Sequence, residues 1–207
     1  MSWVHFYIVI IWFHNLGMRL FTAIDPSPTV QSNLERLLEK LRPAAHIRWS
    51  RPEGLHLTLK FIGEWPGDRL PELQEALSSV AFEPFDLAAS GLGFFPNARS
   101  PRVFWVGIQG PPALPRLAAE IEEALEPLGV AREKRAYSPH LTLARIENRT
   151  PLGRLHEAIR QLGTADCGTF RARSFYLYES RLAPGGSIYT KIREFPGLGE
   201  KMPAGGL

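Results

Sequence analysis

The chain has 207 residues, 44% of them hydrophobic and 22% charged, with a formal net charge of +3. That balance excludes a disordered or fibrous protein and leaves ample length for a hydrophobic core. The single cysteine, Cys167, excludes an internal disulfide and a cysteine-built metal cluster, and it fits a reducing, cytoplasmic setting.

From Met1 to Phe13 the chain is nearly all apolar and aromatic and carries no Lys or Arg. That stretch is too short to span a bilayer, and it lacks the charged start and cleavage site of a secretory signal. We therefore expect translation to begin at Met18 and read 1–17 as a non-native or disordered leader. A peripheral membrane anchor is the alternative, but we expect a monomer with no stable membrane association.

Arg19 to Ile24 reads as the opening strand, ended by Asp25-Pro26-Ser27-Pro28. Helical apolar spacing follows over Thr29 to Leu41, stopping before Pro43. Ile47 to Trp49 reads as a short strand and His56 to Ile62 as a longer one. Asp68 to Val80 has an amphipathic helical stripe. Phe85 to Leu92 and Val103 to Ile108 read as strands joined through a turn-rich Phe94-Phe95-Pro96-Asn97. Leu114 to Leu128 is predicted to be a helix stopped by Gly129, His140 to Ile146 a strand, and Leu152 to Leu162 a helix closed by Gly163. Phe170 to Tyr178 and Ile188 to Phe195 read as a strand pair across Pro184-Gly185-Gly186. The Gly/Pro-rich 196–207 is predicted to be a disordered tail. Regular βαβ alternation is absent, so the pattern predicts an α+β fold with two largely antiparallel sheets, flanking helices and a central cleft.

The tetrapeptide His-Leu-Thr-Leu occurs twice, at His56-Leu57-Thr58-Leu59 and at His140-Leu141-Thr142-Leu143. Chance placement predicts only about 0.2 His-x-Thr per chain of this composition, so an identical pair points to a site where one copy would be ordinary strand sequence. On a strand, alternate side chains share a face, so His56 and Thr58 stand together, as do His140 and Thr142. Two imidazoles and two hydroxyls form a cradle for one phosphate group. The copies are far enough apart for each lobe to contribute one catalytic strand to the cleft between them. Five basic residues (Arg132, Lys134, Arg135, Arg145, Arg149) against Glu133 and Glu147 surround the second copy, and local positive potential favours an anionic substrate. No P-loop, GxGxxG or metal-ligand cluster is present. His5, His14, His46 and His156 are scattered singly and read as ordinary.

Two His-x-Thr strands, an opening Met-Arg-Leu-Phe-Thr-Ala-Ile-Asp, a Phe-Phe-Pro before Arg-Val-Phe-Trp, and Ser-Pro-His-Leu-Thr-Leu-Ala-Arg resemble the 2H phosphoesterase superfamily. The branch resembled is the RNA 2′,3′-cyclic phosphodiesterases, formerly called 2′-5′ RNA ligases. The resemblance runs from Met18 to about Phe195 and implies a single bilobal domain over 18–195, with pseudo-twofold symmetry and one histidine per lobe. It implies no metal and no cofactor, and as partner an RNA or oligonucleotide with a 2′,3′-cyclic phosphate end. It implies His56 as proton donor and His140 as acceptor, an assignment that the symmetric motifs leave open.

The chemistry of the residues agrees. Opening a cyclic phosphodiester needs a base for water, an acid for the departing ribose oxygen, and donors for the charged oxygens. Histidines hold either protonation state near neutrality, and Thr58 and Thr142 donate without titrating. The expected product is a 2′-phosphomonoester. The reverse reaction, 2′-5′ RNA ligation, and a non-catalytic nucleotide-binding module are the alternatives. Arg145, three residues past Thr142, is an added candidate for phosphate binding. Simple alternation turns it away from the His140 face, but a twist or bulge at the strand end would return it.

Overall fold

The computed structural model describes residues 17–147, 150–184 and 186–200, so the expected leader lies, but for Gly17, outside the described residues. The elements in chain order are β1 (Met18–Ile24), α1 (Pro28–Leu41), β2 (Arg48–Trp49), β3 (Leu57–Trp65), α2 (Leu70–Ser78), β4 (Phe85–Phe95), β5 (Val103–Gln109), α3 (Ala113–Leu125), β6 (His140–Arg145), α4 (Gly153–Leu162), β7 (Asp166–Ala172), β8 (Ser174–Ala183) and β9 (Gly186–Pro196).

The helices form where the apolar spacing required them. In α1, Pro28 occupies the first turn and Ser27 Oγ accepts from the Val30 amide at 3.4 Å, giving one orphan donor a partner. Val30, Leu34, Leu37, Leu38 and Leu41 then fall on one face and are buried. Each such side chain contributes roughly 1.5–3 kcal/mol through burial. In α3 the buried stripe is Leu114, Leu117, Ala118, Ile121 and Leu125; a 3-10 turn over Glu126–Leu128 continues it, and Gly129 in the left-handed conformation closes that turn. The helices cross over: α1 packs on β7, whereas α3 packs on α2 and β3.

All strand pairs are antiparallel, in the order β7-β4-β5-β6-β3-β1-β8-β9 with β2 attached to β6. The two sheets predicted from the sequence are the two four-stranded halves of this one sheet. They join between β3 and β6 at a single residue pair, Leu57↔Leu141. The two tetrapeptides therefore run side by side, antiparallel, where the two halves of the sheet join.

Two expectations need correction. Phe170 to Tyr178 is not one strand, because the chain breaks at Arg173. There it passes from β7, paired with β4, to β8, paired with β1. Ser174 and Phe175 are both buried, which shows the slip in alternation. The tail is also anchored at its start: the Gly197 amide donates to the Arg173 carbonyl and the Leu198 amide to the Phe82 carbonyl, each at 2.8 Å. Residues 201–207 lie outside the described residues.

Candidate active site

The two halves carry the same irregularity at the same place. Along β3, Thr58 pairs with Ala23 and Lys60 with Thr22, so Leu59 is an extra residue. Along β6, Thr142 pairs with Trp105 and Ala144 with Phe104, so Leu143 is extra. A one-residue bulge keeps two successive side chains on one side and shifts the phase of the residues beyond it. Leu59 and Lys60 are accordingly both buried, as are Leu143 and Ala144. The next residues, Phe61 and Arg145, are both exposed. The bulge returns each to the face that bears His-x-Thr. Sequence alternation alone turned Arg145 away; the bulge is the exception that the strand end required.

His56, Thr58, His140 and Thr142 are half-buried, while Leu57, Leu59, Leu141 and Leu143 are buried in the core. Continued by one residue, the Leu57↔Leu141 register sets His56 opposite Thr142 and Thr58 opposite His140. The structure thus brings all five predicted residues to one face of the sheet, at the junction of its halves. The backbones are braced from neighbouring loops: the Tyr137 hydroxyl donates to the Thr58 carbonyl at 3.0 Å, and Ser50 Oγ to the Thr142 carbonyl at 2.6 Å.

The two imidazoles are oriented alike. Nδ1 of His56 lies 2.8 Å from the Gly54 carbonyl oxygen and Nδ1 of His140 lies 2.7 Å from that of Ser138. A carbonyl only accepts, so each ring keeps its proton on Nδ1, leaving Nε2 to exchange a proton with a substrate. Aromatic walls fix the ring planes. His56 lies 4.6 Å from Phe21 and 4.8 Å, edge-on, from Tyr189; His140 lies 4.9 Å, edge-on, from Phe95. Trp105 stands 6.4 Å from His140 over Gly93, where a Cβ would lie 2.2 Å from the indole. Glycine is what admits that ring.

Burial pulls the His56 imidazole down from 6.5 to about 4. The Gly54 carbonyl and Asp25 oppose the shift, while Arg145 and His140 add to it. His140 is lowered by burial as well, with the Ser138 carbonyl opposing and Arg145 adding. The Arg145 charge is therefore felt at both rings and disfavours the protonated form of each. A cation acting on both imidazoles suits an anion that would favour protonating one of them.

Phe61 and Asp25 carried no site signal in the sequence, because their placement depends on register and bulge rather than on motif. Cys167 is buried and its thiol is pushed up to about 11 by burial and Asp166, the state of an unreactive packing residue. Among the described residues no group of three or more His, Cys, Asp or Glu stands together as a metal site, and no helix is long and apolar enough to cross a membrane.

Known proteins match this arrangement over most of its length. The LigT-like phosphoesterase family matches twice, at residues 24–105 and 106–189, so each match contains one His-Leu-Thr-Leu. An RNA 2′,3′-cyclic phosphodiesterase of Archaeoglobus fulgidus is 36% identical over 178 residues, covering 86% of this chain and 99% of its own. One from Methanocaldococcus jannaschii is 33% identical over 178 residues, covering 86% and 100%. Among solved structures, TT0787 of Thermus thermophilus superposes with a TM-score of 0.72 at 30% identity, covering 89% of this chain and 100% of that one. E. coli LigT in complex with 3′-AMP superposes with a TM-score of 0.70 at 26% identity, covering 88% and 99%.

Proposed function

The chain belongs to the LigT-like phosphoesterase family, and on that premise we propose that it hydrolyses RNA-terminal 2′,3′-cyclic phosphodiesters to 2′-phosphomonoesters. The observation that carries the reading is the twofold arrangement of His56 and His140, each with Nδ1 fixed on a carbonyl, about the Leu57↔Leu141 pair. In-line displacement at phosphorus needs a proton acceptor on one side and a proton donor on the other. His140 Nε2 takes a proton from the attacking water as its oxygen bonds to phosphorus. The bond from phosphorus to the ribose 3′ oxygen breaks, and that oxygen takes the proton from His56 Nε2. Solvent then restores both rings.

Thr58 and Thr142 donate to the non-bridging oxygens, and Arg145 supplies the positive charge that holds the phosphate between the rings. The bound anion favours the imidazolium that the empty cleft disfavours, so His56 becomes a competent acid when substrate is present. Phe61, 64% exposed at the rim of the same face, offers a flat apolar surface to the terminal nucleobase. The test is a panel of cyclic-ended oligonucleotides and cyclic mononucleotides, with the phosphate position of the product read by phosphorus NMR. The reading requires the 2′ isomer; a 3′ product, or no turnover across the panel, overturns it.

A further inference from the structure

The symmetry that unites the two histidines fails at one cross-strand position. In the first half, Ile24 pairs with Leu57, so the next residue of the first chain segment, Asp25, comes opposite His56. In the second half the residue opposite His140 is Gly107. A Cβ there would lie 2.9 Å from the Ser90 carbonyl oxygen, so that side leaves no room for a carboxylate. One histidine has an acid across the ladder and the other has bare backbone.

Asp25 is held in place from two further strands. The Tyr178 hydroxyl of β8 donates to Asp25 Oδ1 at 2.6 Å, and Lys191 Nζ of β9 stands 2.6 Å from Oδ2. Tyr178 is itself stacked on Phe21 at 5.2 Å, and Phe21 is the ring against His56. Lys191 lies 3.9 Å over the Tyr176 ring. Burial and Asp25 push the Tyr178 phenol well above its ordinary range, so it stays a donor.

The groups facing His56 are Asp25 beyond β1, Tyr178 of β8, Tyr189 of β9, and Arg145 and His140 of β6, with Lys191 behind Asp25. Of the charges acting on His56, the Asp25 carboxylate favours the imidazolium against Arg145 and His140, whereas at His140 the charge that acts among the described residues is Arg145, which opposes it.

We infer that Asp25 is the positioning residue that breaks the pseudo-twofold symmetry and assigns His56 the role of proton donor. This rests on the acid–base reading above, which it deepens by naming what assigns the roles. Lys191 is its counterweight. By sharing the carboxylate, it limits how strongly Asp25 holds the proton on His56.

The experiment is an NMR titration of both imidazoles in the full chain, with and without saturating sulfate as a tetrahedral anion that does not itself titrate. It is run on wild type, D25N, D25E and K191A, alongside the pH profile of kcat. D25N should lower the His56 midpoint and leave His140 in place. It should also move the alkaline limb of kcat to lower pH, with turnover at pH 8 falling about tenfold for each unit moved. D25E should restore most of it. K191A should move His56 the opposite way, which loss of structure would not do, and it carries the test should D25N fail to fold. An unmoved His56 midpoint in folded D25N, or equal shifts of both histidines, overturns the assignment. The titration needs no turnover, so failure of hydrolysis sinks the functional reading separately.

Discussion

Phe61 and Arg145 are structural equivalents. Each lies five residues beyond its histidine, past a one-residue bulge at Leu59 or Leu143, and each emerges on the face that bears His-x-Thr. The same backbone device therefore delivers an apolar ring on one side of the junction and a guanidinium on the other. An asymmetric substrate, with an anionic phosphate at one end and an aromatic base beside it, matches that division.

Arg145→Ala should raise KM for the cyclic phosphate about tenfold or more, the scale of one lost charge-assisted hydrogen bond. The side chain is exposed, so thermal stability should be unchanged. Removing this cation should also let both histidines titrate at higher pH, since it opposes protonation of each. Unaltered kinetics in a folded variant would place Arg145 outside the phosphate site.

Phe61→Ala should weaken binding of nucleotides by roughly tenfold, on the scale of one base–aromatic contact of about 1–3 kcal/mol. It should leave a cyclic phosphate without a base nearly unaffected. Comparing KM for 2′,3′-cyclic AMP with that for ribose 2′,3′-cyclic phosphate separates the two. Equal losses on both substrates would argue that Phe61 shapes the phosphate site instead.

The repeated tetrapeptide, its strand character and its buried and open faces were legible because alternation of Leu with His and Thr is a local pattern. The bulges were not, since Leu59 and Leu143 look like ordinary inward residues and only the register with Thr22–Ala23 and Phe104–Trp105 shows the extra one. Lys60-Phe61 and Ala144-Arg145 share no chemistry, which hid the equivalence of Phe61 and Arg145. Asp25 read as a turn residue after the first strand, because its position across from His56 depends on a partner strand far along the chain. The break at Arg173 is marked in the sequence only by Phe175 falling out of phase with Phe170 and Ala172, a slip that a small Ser174 between them leaves easy to overlook. The fusion of two sheets at Leu57↔Leu141 rests on a single pair that no sequence pattern marks.

The free protein should work best, by kcat/KM, on the acidic side of neutrality. That parameter reports the free enzyme, in which His56 titrates at about 4 and His140 below its ordinary value. With substrate bound, the phosphate raises both, so the kcat profile should peak at higher pH. Coincident bells would show that the anion does not sit between the rings.

His56 also makes stability depend on pH. Its folded value of about 4 lies below the 6.5 of an ordinary histidine, so between these values the unfolded chain binds a proton that the folded chain does not. Stability therefore rises with pH across that window and is lost as pH falls from 6.5 towards 4. His56→Asn should flatten the dependence in urea unfolding followed by circular dichroism. An unchanged slope would assign the acid sensitivity to other groups.

The most direct measurement of paired-histidine hydrolysis is turnover of a 2′,3′-cyclic-ended oligonucleotide by wild type, His56→Ala, His140→Ala and the double variant, with EDTA present throughout. Acid and base act as a unit, so each single substitution should cost about a hundredfold or more and the double variant little beyond that. The wild-type product should carry its phosphate on the 2′ oxygen. Near-normal turnover by either folded single variant, or loss of wild-type activity in EDTA that a divalent ion restores, would contradict it.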